Sequence, residues 1–205
     1  DYNHMLIRPG FMAPVYQRFV RRFTGIGKLE DANRKPEHTE DGKIIETDVA
    51  VVGGGPAGLS AAICAAKAGC STTLVDENPS LGGQLVKQTH KFFGSKEHYA
   101  GVRGIHIADM LLKECASLKN LTVLNDATVF GAYPNKVLGV VRDRGLIEVK
   151  AKALIFAIGA YERTLVFENW DLPGVYGAGG VQTLMNVSGV VPGKRGLMVG
   201  SGNVG

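Results

Sequence analysis

Apolar residues recur at two periods along this chain, and the points where the period changes mark its elements. Residues 48–52 form a short apolar, β-branched run that enters Gly53-Gly54-Gly55. An alanine-rich helical stretch leaves the glycines at Pro56, and Gly69 reads as the residue just past its end. Residues 72–75 read as a second strand, closed by Asp76-Glu77. Helical periodicity returns from about residue 105 to residue 118, with Ala108, Leu111, Leu112 and Cys115 facing inward. Residues 121–124 read as a further buried strand. Three short β runs follow, at 128–133, 136–141 and 146–149, separated by Pro134-Asn135 and Asp143-Arg144-Gly145, which is the pattern of an antiparallel meander. Residues 153–160 then return as a strand that ends in small residues, and such residues let a backbone pass close to a ligand.

The flanks are of a different kind. Residues 1–27 read as a basic leader with one helix, started by Pro14 and ended by Gly25. Val15, Tyr16, Phe19, Val20 and Phe23 fall on one face, and Gln17, Arg18, Arg21 and Arg22 on the other. That basic face is either a docking surface for a partner subunit or anionic cofactor, or a solvated helix face. Residues 28–44 are polar and broken by Pro36 and Gly42, as in a surface linker, and residues 86–103 are loop-like. The fold class expected is α/β: a Rossmann-like domain with a mainly parallel sheet and an antiparallel β-meander. The expected domains are an amino-terminal extension and linker at 1–44, an incomplete first dinucleotide-binding domain at 45–192, and the truncated start of a second at 193–205.

The glycine cluster carries the chemistry. Gly53, Gly55 and Gly58 have the GxGxxG spacing between a strand and a helix. The first glycine permits the tight turn, the second lets backbone approach a pyrophosphate, and the third lets helix and strand pack closely. Pro56 and Ala57 occupy the first helical turn, whose free N–H groups and positive dipole end face the phosphates. Asp76 lies 23 residues after Gly53, near the position roughly 20 residues on where a ribose-binding carboxylate is expected. Glu77 is the alternative. The turn at Gly82-Gly83-Gln84-Leu85 sits at the cofactor end of the sheet, so Gly83 and Gln84 join the cofactor-binding candidates. Val129, Ala157 and Gly159 complete that set. A second GxGxxG, Gly200, Gly202 and Gly205, follows another short apolar strand and coincides with the last residue. The helix such a site needs is absent, so the chain reads as a fragment, and Asp1 in place of Met suggests a leader or upstream domain removed.

Composition narrows the classes. The 205 residues are 45% hydrophobic and 20% charged, ordinary for a soluble globular protein, and no apolar run approaches the ~20 residues that span a bilayer. A net charge of +4, much of it in the leader, is no argument for nucleic acid. The three cysteines form no CxxC; Cys64 and Cys115 are expected as buried thiols, which suits a reducing, cytoplasmic setting. His90, His98 and His106 lack partners at metal-site spacing, so no metal is expected.

The order of motifs resembles the two-dinucleotide-domain flavoprotein disulfide reductase family. That resemblance implies that the first GxGxxG and the acidic strand end bind the ADP half of FAD. Gly82-Gly83-Gln84-Leu85 is similar to the GGQL segment of its thioredoxin-reductase-like branch. Ala157-Ile158-Gly159-Ala160 resembles an ATGA-like segment with Ile158 in place of Thr. The motif at Gly200 would then open an NAD(P)-binding domain. A narrower resemblance runs from Glu162 to Val175, through Asn169-Trp170-Asp171-Leu172-Pro173-Gly174, with Ala178-Gly179 and Gln182-Thr183-Leu184. It is similar to the α subunits of heterotetrameric sarcosine oxidase, dye-linked proline dehydrogenase, opine oxidase and hydrogen cyanide synthase. The leader, with Arg21-Arg22 and Gly25-Ile26-Gly27, resembles the segment that precedes the dinucleotide fold in the first two. What this implies is an FAD-dependent oxidoreductase subunit of an amine- or imino-acid-dehydrogenase complex, with a small-molecule substrate and a β-type catalytic subunit or a homo-oligomer as partner. In that group NAD or an adenine nucleotide replaces FAD at the first site in some members, and some carry FMN at a subunit junction. No cysteine pair follows Gly82-Gly83, which argues against glutathione- or lipoamide-reductase chemistry. Two rival readings are a nucleotide-holding structural subunit without turnover and a thioredoxin-reductase-like NAD(P)H-dependent flavoenzyme. No catalytic acid, base or nucleophile is identified, because no side chains have the required paired pattern.

Overall fold

A computed structural model describes residues 42–92 and 95–202. The expected leader helix and most of the linker lie outside the described residues, as does Gly205. Strand β1 (Lys43–Val52) runs into the glycine turn, and helix α1 (Pro56–Lys67) leaves it with proline in its first turn. Gly69, at φ +89°, ends that helix as expected. Strand β2 (Thr72–Val75) returns beside β1, a 3₁₀ turn covers Gly83–Lys87, and helix α2 (Gly104–Ser117) leads to strand β3 (Leu121–Leu124). Strands β4 (Ala127–Tyr133), β5 (Val137–Arg142) and β6 (Gly145–Phe156) follow, and helix α3 (Ala178–Asn186) comes last.

The six strands form one sheet in the order β3-β2-β1-β6-β5-β4. β3, β2, β1 and β6 are parallel, while β6, β5 and β4 are antiparallel. The two central strands are covered on both sides where they end, so Ala50-Val51-Val52 and Leu74-Val75 are apolar at successive positions rather than alternating. On one face Val51 and Leu74 pack against Leu59, Ala62 and Ile63 of α1 and Ile107, Ala108, Leu111 and Cys115 of α2. On the other, Ala50, Val52 and Val75 meet Leu138, Val140, Ile147 and Val149 from the meander. Full burial of each large aliphatic side chain contributes roughly 1.5–3 kcal/mol.

Four expectations are corrected. Residues 146–149 and 153–160 do not form two strands. β6 is one 12-residue strand that pairs antiparallel with β5 at its start and parallel with β1 as far as Val52↔Phe156. Lys150-Ala151-Lys152 contains no turn residue, so nothing breaks the extended chain, and the strand ends before Ala157. Cys64 is exposed, unlike Cys115, because it lies at the rim of the α1–α2 contact, in an open groove with Lys67, Tyr99 and Glu114. β3 is an edge strand in which only Leu124 is buried. The apolar run Leu197-Met198-Val199 forms no strand and stands exposed.

Candidate nucleotide site

The glycine turn lies where β1 and β2 end at their carboxyl termini, the edge at which open α/β sheets bind ligands. Gly53 donates its N–H to the Val75 carbonyl at 2.8 Å and takes φ +104°, a conformation that favours glycine. A β-carbon on Gly53 would lie 2.3 Å from the Ala157 carbonyl oxygen. One on Gly58 would lie 1.7 Å from the Gly53 oxygen. Both glycines are therefore demanded by contact between β1, α1 and the end of β6.

Gly55 is different. Its φ of −75° and ψ of −176° suit any residue, and a β-carbon there would meet nothing nearer than the Gly83 Cα at 3.8 Å. Neither backbone strain nor packing among the described residues requires glycine at this position. Gly55 is also the N-cap of α1, where no side chain caps the helix and no acidic residue occupies the first turn. The positive end of the helix dipole is thus left without an internal counter-charge of that kind. Gly83 closes the opposite side, since a β-carbon on it would come 2.8 Å from the Gly55 Cα.

Asp76 is half-buried at the end of β2, and both of its oxygens are engaged. Oδ2 accepts the Gly54 N–H at 2.5 Å, while Oδ1 accepts the Asn78 N–H at 2.8 Å and its side-chain amide at 2.9 Å. A carboxylate offers about four lone-pair sites, so these three bonds leave room for one further donor. Glu77 is exposed. Gly54 is held from both sides, by Asp76 and by Leu81, whose Cδ2 lies 2.3 Å from where a β-carbon on Gly54 would fall.

The fold thus brings Gly53, Gly55, Pro56, Ala57, Gly58, Asp76, Gly83 and Ala157 to one edge, with Gln84 exposed next to Gly83. Val129 packs against the second core beside a register shift in β4. Gly159 is exposed at φ +67° with open space around it. Gly200 and Gly202 are exposed in residues without regular structure. Motif spacing alone misses two participants, Gly54 and Asn78. The signal for Gly54 is its place as the middle of three glycines. For Asn78 it is an amide two residues beyond a carboxylate, a spacing that favours local side-chain-to-backbone bonding. Among the described residues no cluster of His, Cys, Asp or Glu could hold a metal ion, and no helix is long and apolar enough to cross a membrane.

Residues 48–143 match the family of FAD dependent oxidoreductases. The chain is 36% identical to the alpha subunit of sarcosine oxidase from Corynebacterium sp. (strain U-96) over 188 residues, covering 84% of this chain and 18% of that protein. It is 30% identical to an opine oxidase subunit from Agrobacterium tumefaciens (strain Ach5), covering 76% of this chain and 32% of that one. Among solved structures, L-proline dehydrogenase from P. horikoshii superposes with a TM-score of 0.68 at 30% identity, over 77% of this chain and 31% of that chain. This chain therefore spans between about a fifth and a third of the length of these relatives.

Proposed function

We propose that this chain, which carries an FAD-dependent oxidoreductase domain, holds the ADP half of FAD at its first GxGxxG and serves a subunit of an amine- or imino-acid-oxidising complex. One observation carries the reading of the site: the protein's own packing gives no reason for glycine at position 55. Bare backbone there, unexplained by packing among the described residues, is what a pyrophosphate resting against it would require. The uncapped N-terminus of α1 supplies N–H donors to the same place. Asp76, already oriented by Gly54 and Asn78, has one acceptor position left for a ribose hydroxyl, and Gly83 with Gln84 closes the far side.

FAD, when bound, supplies the electron-accepting chemistry, and the protein supplies position and electrostatics. The residues named hold and orient the adenosine diphosphate portion; none of them handles a substrate proton. Residues 158–177, which follow the end of β6, are exposed throughout. That favours a division of labour in which this chain grips the nucleotide and surfaces beyond it enclose the reacting ring. The sarcosine, opine and proline relatives support an amine or imino acid as substrate class, and the subunit names of the first two support a partner subunit, to which we assign the catalytic role.

The test is calorimetric titration of the purified chain with ADP and with FAD. We expect both to bind with similar affinity, and Gly55→Val to abolish binding while the thermal unfolding curve stays in place. Unchanged affinity in Gly55→Val with intact folding would reduce the cluster to a structural turn.

A further inference from the structure

The loop from Asp76 to Gly82 carries the carboxylate at one end and the Gly83 side of the cradle at the other. Its position is set from the β3–β4 corner. Asp76 donates its N–H to the Leu124 carbonyl at 2.9 Å, Ala127 donates to the Asp76 carbonyl at 3.0 Å, and Asp126 donates to the Asn78 carbonyl at 3.2 Å. The corner itself is turned by Asp126 at φ +50°, a conformation that costs a non-glycine residue free energy and is kept only where neighbours hold it.

A side chain extends this seam by one more residue. Asn125 donates through Nδ2 to the Pro79 carbonyl at 3.0 Å, and its Oδ1 accepts from Arg142 Nη2 at 3.0 Å. Arg142 ends β5, directly across the ladder from Ala127. Its guanidinium determines which way the amide faces, because the reversed amide would set two donors against each other and two acceptors together. Beyond Pro79 the path continues into the cradle. Leu81 packs on Gly54, and Gly82 donates to the Gly54 carbonyl at 2.8 Å. Gly54 in turn donates to Asp76 and adjoins Gly55.

We infer that Arg142 and Asn125 are positioning residues for the nucleotide site, acting through Pro79, Leu81 and Gly54 rather than through the ligand. This rests on the nucleotide reading above. Two hydrogen bonds of this kind, each modest on its own, set whether the loop stands at the right distance from the α1 N-terminus. β5 thus contributes to affinity although it does not touch the glycine motif.

Asn125→Ala and Asn125→Asp separate positioning from plain stability. The first removes both bonds. The second keeps an acceptor for Arg142, now as an ion pair, but has no N–H for Pro79. With ADP as the probe, we expect both variants of the full chain to bind roughly 5- to 20-fold more weakly than wild type, as loss of one or two such hydrogen bonds implies. Melting of Asn125→Asp should stay near wild type, and in both variants hydrogen exchange should quicken at the Gly82 and Gly54 amides while the β1 and β2 amides keep their protection. The inference is overturned if Asn125→Asp regains wild-type affinity, or if either variant binds ADP as tightly as wild type. Wild type failing to bind ADP would bring down the nucleotide reading itself. Faster exchange at Gly82 in that case would leave Asn125 a structural brace only, which also overturns the inference.

Discussion

Residues 43–156 and residues 157–202 differ in what faces them among the described residues. The first region buries two apolar clusters, one on each face of the sheet. In the second, no residue is buried, and Tyr161, Leu165, Val166, Val191, Leu197 and Val199 all stand exposed. Composition does not separate the two, since both are rich in large apolar side chains. Partners do. α3 is held by polar groups: Glu162 accepts N–H bonds from Gly179 and Gly180 at the helix start, Lys87 donates to Thr183, and Asn186 donates to the Lys87 carbonyl. An apolar sequence folds into a core only where a second apolar surface faces it, and the described residues supply that surface to the first region alone.

The sharpest break in this contrast should come from a core position. Leu74 of β2 is fully buried on the face covered by α1 and α2, and Leu74→Ala should cost about 2–5 kcal/mol in denaturant unfolding. A smaller loss would mean the first region is less self-sufficient than its packing implies. Ligand affinity comes next. Asp76→Ala removes an acceptor worth on the order of 1.5–3 kcal/mol, so ADP should bind roughly 10- to 150-fold more weakly by calorimetry. The same carboxylate should make a 2′-phosphorylated nucleotide a poor ligand for wild type. Equal affinity of wild type and variant would place recognition elsewhere.

Acid sharpens the comparison midway along β1, just before its ladder with β2 begins. A hydrogen bond from Lys152, whose Nζ lies 2.7 Å from Oδ1, and bonds from the Ser71 hydroxyl and N–H lower the Asp48 carboxyl from 3.8 to about 2. Because the folded value lies below the unfolded one, this contribution is present above 3.8 and is lost as pH falls through about 2. Asp48→Asn should therefore show a shallower decline of melting temperature across that window than wild type, and parallel curves would refute the pairing. The smallest effect belongs to the second region. Tyr161 is 93% exposed, so Tyr161→Ser should shift stability by less than about 0.5 kcal/mol. A loss approaching that of Leu74→Ala would show that the region is packed after all.

Much of the first region is legible in the amino-acid sequence alone. Residues 72–75 and the helix closed by Gly69 stand where periodicity puts them, because period and turn residues report local backbone preference directly. Exposure of Cys64 is not legible in this way. Periodicity gives the direction of a helical stripe, whereas the position of α2 decides where burial stops. The same limit explains β6: a strand that serves a meander at its start and a parallel sheet at its end has no local marker of the change.

What the amino-acid sequence determined by itself is the strand–glycine–helix unit, with its turn, its helix ends and the acidic residue that closes β2, since each depends on neighbours within a few residues. Only the tertiary structure decided that Gly53 and Gly58 are required by Ala157 and by each other, and that packing among the described residues does not require Gly55. It also decided that Asp76 is held by Gly54 and that the loop it opens is braced from β5. Those facts depend on segments up to about a hundred residues apart meeting at one sheet edge. Local sequence encodes the preferences of each segment, and only packing brings their surfaces and hydrogen-bonding groups within reach of one another.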